Sequence, residues 1–192
     1  MQKLLMATTN QGKVKELKKM LEDLPYEILT LKDLSDVKEP IENGYTFKDN
    51  ALIKASYYYH LFHIPIIADD SGISISYFLD LPGVHSARFL DYLDYPNKNQ
   101  LILDIMKDVK NRKAYYSCVI AYVDDNHQMT FEGIMDGTIA NSLEGNNGFG
   151  YDPIFIPKGY QKTVASLSEK EKNEISHRGI ALRKLVNYFE DK

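Results

Sequence analysis

The sequence contains only one cysteine, Cys118, so a disulfide framework within the chain is excluded. Cys118 lies in an apolar, strand-like run, which indicates a small core residue rather than a nucleophile. No apolar run approaches the roughly 20 residues that a membrane-spanning helix needs, and the N-terminal residues become polar too early for a signal peptide. We therefore expect a cytoplasmic protein that binds no membrane.

An excess of positive charge is also missing. The formal net charge is −4 at pH 7, which gives no electrostatic footprint for nucleic acid. Any phosphate ligand must therefore be bound by local cations. No repeat or linker interrupts the 192 residues, and a chain of this length can form one large domain or two lobes that share a core.

A short apolar run, residues 66–68, leads directly into Asp69, Asp70, Ser71 and Gly72. The run predicts a buried strand, and ligands of α/β proteins bind at the carboxyl ends of such strands. Two adjacent carboxylates there suit Mg²⁺, which then shares the phosphate oxygens of its substrate. The alternative is a surface turn, because Asp, Ser and Gly are common turn residues.

The N-terminal region predicts a strand over residues 4–7, a polar turn, and a helix that ends near Leu24-Pro25. A helix that starts after such a turn directs backbone N–H groups at an anion, and Lys13 adds a charge. The turn is no Walker P-loop because it has a single glycine. A simple helix cap with a solvated lysine remains the alternative.

A second helix is predicted to begin with a capping box formed by Thr46 and Asp49. Asn50 and Lys54 lie four residues apart on one flank of this helix and can reach the same point. Lys54 is either solvated or directed at a phosphate.

Further along, alternation over residues 73–77 predicts a half-buried strand, residues 101–109 predict an amphipathic helix, and residues 115–134 predict a β-hairpin. The glycines around Phe149 allow close backbone approach, so its ring could stack on a flat ligand or simply pin a tight loop. A hydroxyl, an imidazole and a guanidinium follow one another at residues 176–178, where they could bind a base or a phosphate, or cap a helix.

Several motifs occur in the order typical of the inosine triphosphate pyrophosphatase family, also called dITP/XTP pyrophosphatases, and the chain resembles this family over nearly its whole length. The matching stretches are residues 7–13, 42–51 with Lys54-Ala55, 68–72, 82–88, 148–155 and 172–179.

The resemblance implies one α/β domain over residues 1–192, with an elongated mixed β-sheet, flanking helices, and two lobes with the active cleft between them. It also implies a homodimer and Mg²⁺-dependent hydrolysis of a small-molecule substrate, a non-standard purine nucleoside triphosphate (ITP, dITP or XTP), to the monophosphate and pyrophosphate.

The same resemblance implies the site residues. Glu42 and Asp70 are the expected metal ligands, and Asp70 is also the expected proton acceptor. Because adjacent carboxylates titrate as a pair, the sequence does not separate Asp70 from Asp69 as the base. Lys54 is expected to stabilise the departing pyrophosphate. The expected substrate-binding residues are Thr8, Thr9, Asn10, Gln11, Gly12, Lys13, Ser71, Phe149, Gly150, Tyr151, Asp152, Lys172, His177 and Arg178.

The chain departs from the family pattern at Leu90-Asp91, Leu143-Glu144 and Ser166, which affects the loops around the expected active site. Two rival functions stay open at this point. One is a Maf-like pyrophosphatase that acts on pyrimidine or modified triphosphates, and the other is a non-catalytic nucleotide sensor.

Overall fold

The computed structural model describes residues 2–34 and 37–191, and this part of the chain folds into seven strands and five α-helices. The strands are β1 Gln2–Met6, β2 Tyr26–Thr30, β3 Ile66–Ile75, β4 Leu81–Pro82, β5 Lys113–Val123, β6 Gln128–Ile139 and β7 Phe155–Pro157. The helices are α1 Gln11–Leu21, α2 Phe47–Phe62, α3 Tyr95–Ile105, α4 Glu169–Ile175 and α5 His177–Glu190.

The described chain divides into two compact units. Unit 1 comprises the residues up to Asp70, Cys118–Gly133 and the residues from Ile180 onward; unit 2 comprises Ser71–Ser117 and Ile134–Gly179. The chain therefore passes from one unit to the other within β3, β5 and β6.

The strand pairing is mixed, as the family resemblance implied. In unit 1 the strand order is β2-β1-β3-β5-β6, and β1 runs parallel to both β2 and β3. In unit 2 the order is β3-β5-β6-β7, with β4 antiparallel to β3 and β7 antiparallel to β6. The predicted α/β class with a mixed sheet and flanking helices is confirmed.

The core of unit 1 covers both faces of the sheet, because successive side chains of a strand point to opposite faces. Leu4 and Met6 pack in a cluster with α1 and α5, whereas Leu5 packs in a cluster with α2. All three side chains are fully buried. Cys118 is fully buried in the first cluster, which confirms its predicted place in the core.

The core of unit 2 joins the second half of β3 to α3 and to the loop before β7. Ile73 and Ile75 pack there with Ile102, Met106 and Phe155, all of them at least 99% buried. No helix in the described residues is long and apolar enough to cross a membrane.

The capping box of α2 is confirmed in detail. Thr46 Oγ1 accepts a hydrogen bond from Asp49 N at 3.1 Å, and Asp49 Oδ2 accepts one from Thr46 N at 3.0 Å. The predicted end of α1 is wrong by three residues, because α1 ends at Leu21 and Leu24 N bonds to the carbonyl of Leu21 in a turn. Leu24 precedes Pro25, and a residue before proline is disfavoured in the helical region.

The largest correction concerns the paired aspartates. The sequence placed Asp69 and Asp70 where a strand ends, with a separate half-buried strand beyond them, but β3 continues without a break from Ile66 to Ile75. Both aspartates are buried, with 2% and 8% of their surfaces exposed, so the alternative of a surface turn is wrong. Tyr77 lies beyond β3, in a single turn of 3-10 helix.

Candidate active site

Asp69 and Asp70 lie in the middle of β3, so their side chains point to opposite faces of the sheet. Asp69 Oδ2 lies 2.8 Å from Lys13 Nζ, and the Asp69 side chain is 1% exposed. Lys13 reaches it from the first turn of α1. Asp69 is therefore held in an ion pair with the lysine that the sequence assigned to phosphate binding.

The N-terminus of α1 is capped by Asn10. Its Oδ1 accepts hydrogen bonds from Gly12 N at 3.0 Å and from Lys13 N at 3.2 Å. The preceding turn is closed by Thr8, whose Oγ1 accepts from Asn10 N at 3.3 Å, and by Gln11, whose amide donates to the carbonyl of Thr9 at 3.1 Å. The predicted anion-binding turn is thus a preformed loop, and Asn10 already occupies two of its N–H groups.

Lys54 extends from the second turn of α2 into a cluster of carboxylates. Its Nζ lies 3.0 Å from Glu42 Oε1 and donates to the carbonyl of Asp69 at 3.0 Å. Burial alone lowers the pKa of Lys54, but the negative charges of Asp69, Glu42 and Asp70 outweigh that effect and raise the pKa above its ordinary value. Lys54 therefore remains a cation, and the alternative of a solvated lysine is wrong.

Asp70 differs from Asp69 in its surroundings. Burial raises the pKa of Asp70 to about 6, although the charges of Lys54 and Lys13 and a hydrogen bond from Asn50 oppose the rise. Asn50 Nδ2 donates to Asp70 Oδ2 at 3.1 Å. A carboxyl group with a pKa in this range can accept a proton near neutral pH.

Unit 2 contains a second cluster, organised around the buried carboxylate of Asp152. Its Oδ2 accepts hydrogen bonds from Phe149 N and from Lys172 Nζ, both at 2.9 Å, and its Oδ1 accepts one from Tyr116 OH at 3.4 Å. Gly148 has a φ of +77°, and a Cβ there would lie 2.1 Å from Asp152 Oδ2. Only glycine therefore allows the loop to close over the carboxylate.

Phe149 is the exposed aromatic residue of this cluster, with 37% of its surface accessible. Lys172 Nζ lies 4.7 Å from the centre of its ring, and the guanidinium carbon of Arg178 lies 5.8 Å from it. Arg178 also donates to Ser71 Oγ at 2.9 Å. The predicted substrate-binding residues Ser71, Phe149, Lys172 and Arg178 are thus brought together within unit 2.

His177 stacks on Tyr116, with 4.6 Å between ring centres and 9° between ring planes. Tyr116 was missed at the sequence level, because it looks like any buried aromatic of an alternating strand. Its hydroxyl bond to Asp152 and its contact with His177 join two predicted site residues.

Two predicted substrate-binding residues have their polar groups engaged by the protein. Tyr151 is 3% exposed, and its hydroxyl donates to the carbonyl of Ser86 at 2.8 Å. The carbonyl of Gly150 accepts a hydrogen bond from Asn99 Nδ2 at 2.9 Å. Tyr95 packs edge-on against Tyr151, with 5.4 Å between ring centres. These contacts hold the 148–152 loop in place.

Two of the departures from the family pattern contact each other. Ser166 Oγ donates to Glu144 Oε1 at 3.2 Å, and Thr163 Oγ1 donates to the carbonyl of Glu144 at 2.6 Å. A third departure, Leu90, has a φ of +50°, the left-handed region that favours glycine. Leu90 therefore adopts a backbone conformation that glycine would adopt with less strain.

Glu42 and Asp70 were the expected metal ligands, and the chemistry of the donor set fits a magnesium ion. The described residues contain no cluster of three or more His, Cys, Asp or Glu side chains that could hold a metal by itself. Mg²⁺ is commonly bound by one or two carboxylates together with substrate phosphates and water. The charges of both residues act on Lys54, which places the two carboxylates near one cation.

The fold agrees with what comparison with known proteins shows. The model of the Ham1 family matches residues 4–188, so the chain belongs to the Ham1 family.

Curated relatives carry a more specific name. A protein of Leptospira interrogans (serogroup Icterohaemorrhagiae, serovar copenhageni) named dITP/XTP pyrophosphatase is 46% identical over 192 residues, with 98% of each chain covered. A protein of the same name from Aquifex aeolicus is 40% identical over 200 residues, covering 98% of this chain and 97% of its own. The solved structure of a HAM1 protein from Coxiella burnetii is 35% identical, covers all of both chains and superposes with a TM-score of 0.92.

Proposed function

We propose that this protein hydrolyses non-standard purine nucleoside triphosphates (ITP, dITP and XTP) to the nucleoside monophosphate and pyrophosphate. The enzyme class, a nucleoside triphosphate pyrophosphatase, is the one that the curated relatives carry in their names. The observation that carries the proposal is the cluster in unit 1, where Asp70 has a raised pKa beside two lysines and a second carboxylate.

The triphosphate is assigned to the cations of this cluster. Lys13 lies in the first turn of α1, and a helix N-terminus favours an anion. Lys54 extends from α2, and both lysines contact Asp69. The loop formed by Thr8, Thr9, Asn10, Gln11 and Gly12 supplies hydroxyl, amide and backbone groups. Both lysines are engaged with protein oxygens in this structure, so phosphate oxygens would replace or share those contacts.

Mg²⁺ is the proposed cofactor, and Glu42 with Asp70 would hold it. When bound, the ion would neutralise charge that develops on the phosphate oxygens. Lys54, whose Nζ contacts Glu42, balances the negative charge of these carboxylates and remains available to the pyrophosphate leaving group.

Asp70 is the proposed proton acceptor. Asp69 already forms an ion pair with Lys13, whereas the pKa of Asp70 in the protein without metal is raised to about 6, so Asp70 is the one of the two with a raised affinity for a proton. In the proposed step the water oxygen bonds to the α-phosphorus, its proton passes to Asp70, and the bond from the α-phosphorus to the bridging oxygen breaks. Intact pyrophosphate then leaves.

The purine base is assigned to the cluster in unit 2. Phe149 would stack on the base, because its ring is exposed and lies beside two cations. Lys172, His177 and Arg178 would supply hydrogen-bond donors to the carbonyl at position 6 of hypoxanthine or xanthine. Adenine has an amine there, so the donors would be left unpaired, and this type of mismatch discriminates strongly. Guanine also has that carbonyl, so this contact alone does not reject it.

Membership of the Ham1 family favours this assignment over a Maf-like activity. The paired carboxylates and the raised pKa of Asp70 favour an enzyme over a nucleotide sensor. A homodimer and a cytoplasmic location stay predictions of the sequence.

The proposal is tested with a panel of triphosphates (ITP, dITP, XTP, GTP, ATP, CTP and UTP), with and without Mg²⁺. Pyrophosphate and orthophosphate are measured separately. We expect Mg²⁺-dependent release of pyrophosphate, with the highest kcat/KM for ITP, dITP and XTP. A preference for pyrimidine triphosphates would favour the Maf-like function, and binding without any release would favour a sensor.

A further inference from the structure

A buried amide, that of Asn50, links the backbone near Glu42 to the carboxylate of Asp70. Asn50 is 1% exposed and lies in α2, one turn before Lys54. Its Oδ1 accepts a hydrogen bond from Gly44 N at 2.8 Å, and its Nδ2 donates to Asp70 Oδ2 at 3.1 Å. Gly44 lies two residues after Glu42, so the amide connects the segment of Glu42 to the strand of Asp70.

The orientation of this amide follows from its neighbours. The backbone N–H of Gly44 requires an acceptor, and the carboxylate of Asp70 requires a donor. The reverse orientation would place the amide oxygen of Asn50 against the carboxylate oxygen of Asp70, and its NH₂ group against the N–H of Gly44. Among side chains of this size, only an amide satisfies both neighbours. Aspartate has no N–H to donate, and leucine has neither group.

The segment that carries Glu42 also approaches α2 too closely for a larger residue at position 44. A Cβ on Gly44 would lie 2.5 Å from Asp49 Cβ and 2.8 Å from Asn50 Oδ1. Lys54 makes a parallel connection one turn later, between Glu42 Oε1 and the carbonyl of Asp69. Two residues one turn apart on the same flank of α2, Asn50 and Lys54, therefore each contact both the Glu42 segment and β3.

We infer that Asn50 is a positioning residue for catalysis: it fixes the Asp70 carboxylate relative to the Glu42 segment. By donating to Oδ2, Asn50 restrains rotation of the carboxylate and leaves Oδ1 for metal or water. This inference rests on the proposed function, and it assigns Asn50 no contact with substrate. Outer partners of metal-binding carboxylates typically change metal affinity or activity by about 10- to 100-fold.

Two variants of similar size separate positioning from packing. Asn50→Leu removes both hydrogen bonds, and Asn50→Asp retains an acceptor for Gly44 N while it removes the donor to Asp70. Asn187→Asp, an exposed position in α5, is the matched control for the change from amide to carboxylate. Each protein is first checked for folding by circular dichroism and thermal unfolding.

Binding of Mn²⁺ alone is then measured by electron paramagnetic resonance, and kcat and KM are measured for ITP with Mg²⁺. We expect Asn50→Leu to weaken Mn²⁺ binding and to lower kcat by about 10-fold or more, with KM changed less than about 3-fold. We expect Asn50→Asp to lower kcat similarly without weakening Mn²⁺ binding, because it adds a negative charge beside Asp70. The control should match the wild type in all three quantities.

The inference is overturned if folded Asn50→Leu retains the Mn²⁺ affinity and kcat of the wild type. If Asn50→Leu does not fold, Asn50→Asp decides, and a wild-type kcat in that variant overturns the inference. If the wild type releases no pyrophosphate from any triphosphate, the proposed function fails separately. In that case the Mn²⁺ affinity of Asn50→Leu, compared with that of the wild type, tests the positioning role. If the wild type neither binds Mn²⁺ nor hydrolyses any triphosphate, both the proposed function and the positioning role are overturned.

Discussion

Lys13 and Asp69 form an ion pair with 2.8 Å between Nζ and Oδ2, while the adjacent Asp70 accepts a hydrogen bond from Asn50 on the other face of the same strand. Two neighbouring carboxylates with identical side chains therefore have different surroundings. One is neutralised by a lysine of α1, and the other has a pKa raised to about 6. We therefore propose different roles for them, in which Asp69 holds Lys13 and Asp70 acts on water.

Replacement of Asp70 by asparagine should nearly abolish turnover in a protein that remains folded. Asn retains an acceptor for Asn50 but neither accepts a proton nor binds a cation with a full charge, so kcat should fall at least ~10²-fold. Asp23→Asn, at an exposed position in unit 1, is the control and should leave kcat unchanged. Near-normal pyrophosphate release by folded Asp70→Asn contradicts the assignment.

The same variant should alter the dependence of stability on pH. Because the pKa of folded Asp70 is raised from 3.8 to about 6, the folded state binds more protons than the unfolded state between these values. The wild type therefore loses stability as pH rises from about 4 to 6, by up to about 3 kcal/mol for a pKa difference of about 2. Asp70→Asn avoids this loss. The free energy of unfolding is measured in urea without metal. We expect it to be higher for the variant than for the wild type at pH 8, and the difference between the two proteins to be larger at pH 8 than at pH 4. An equal difference at both pH values contradicts the raised pKa.

Lys54→Met should lower kcat/KM for ITP strongly, because it removes the cation assigned to the pyrophosphate. A surface lysine could be replaced with almost no change in stability. Lys54 is only 13% exposed and contacts Glu42, so some loss of thermal stability is also expected here. Lys48→Met, at an exposed position of the same helix, is the control. Kinetics and thermal unfolding are measured on one preparation, and an unchanged kcat/KM in Lys54→Met contradicts the phosphate role.

Phe149 and Arg178 should contribute differently to the choice between purine bases. Phe149→Ala should weaken the binding of all purine triphosphates by the same amount, because about 1–3 kcal/mol of stacking free energy is lost. Arg178→Ala should lower kcat/KM for ITP and XTP far more than for ATP, because a donor to the 6-carbonyl helps only the former. The exposed Arg183→Ala is the control. If Arg178→Ala lowers kcat/KM for ITP and for ATP by the same factor, Arg178 binds phosphate or supports the fold. His177 is then the next residue to test.

Much of the local structure could be predicted because it depends on neighbouring residues. The capping box predicted at Thr46 uses a partner three residues away, and it forms as expected. The site residues of unit 1 were predicted as a set, and Lys13, Glu42, Lys54, Asp69 and Asp70 are in fact joined by direct contacts or mutual electrostatic effects.

The continuous course of β3 could not be predicted, because Asp-Asp-Ser-Gly has low strand propensity and only tertiary pairing keeps it extended. The distinct environments of Asp69 and Asp70 depend on partners 56 and 20 residues away in sequence, Lys13 and Asn50. Asp152 was predicted to bind substrate, and this stays a prediction; the sequence did not show that Asp152 also accepts hydrogen bonds from Phe149, Lys172 and Tyr116 and so supports the loop. Such roles arise only when distant segments meet.

The most direct test of the central claim is the position of oxygen transfer. ITP is hydrolysed with Mg²⁺ in water enriched in ¹⁸O, and the products are analysed by mass spectrometry. Attack of water on the α-phosphorus predicts one ¹⁸O atom in the phosphate of the nucleoside monophosphate and none in pyrophosphate. A label in pyrophosphate, or release of orthophosphate in place of pyrophosphate, contradicts the proposed reaction.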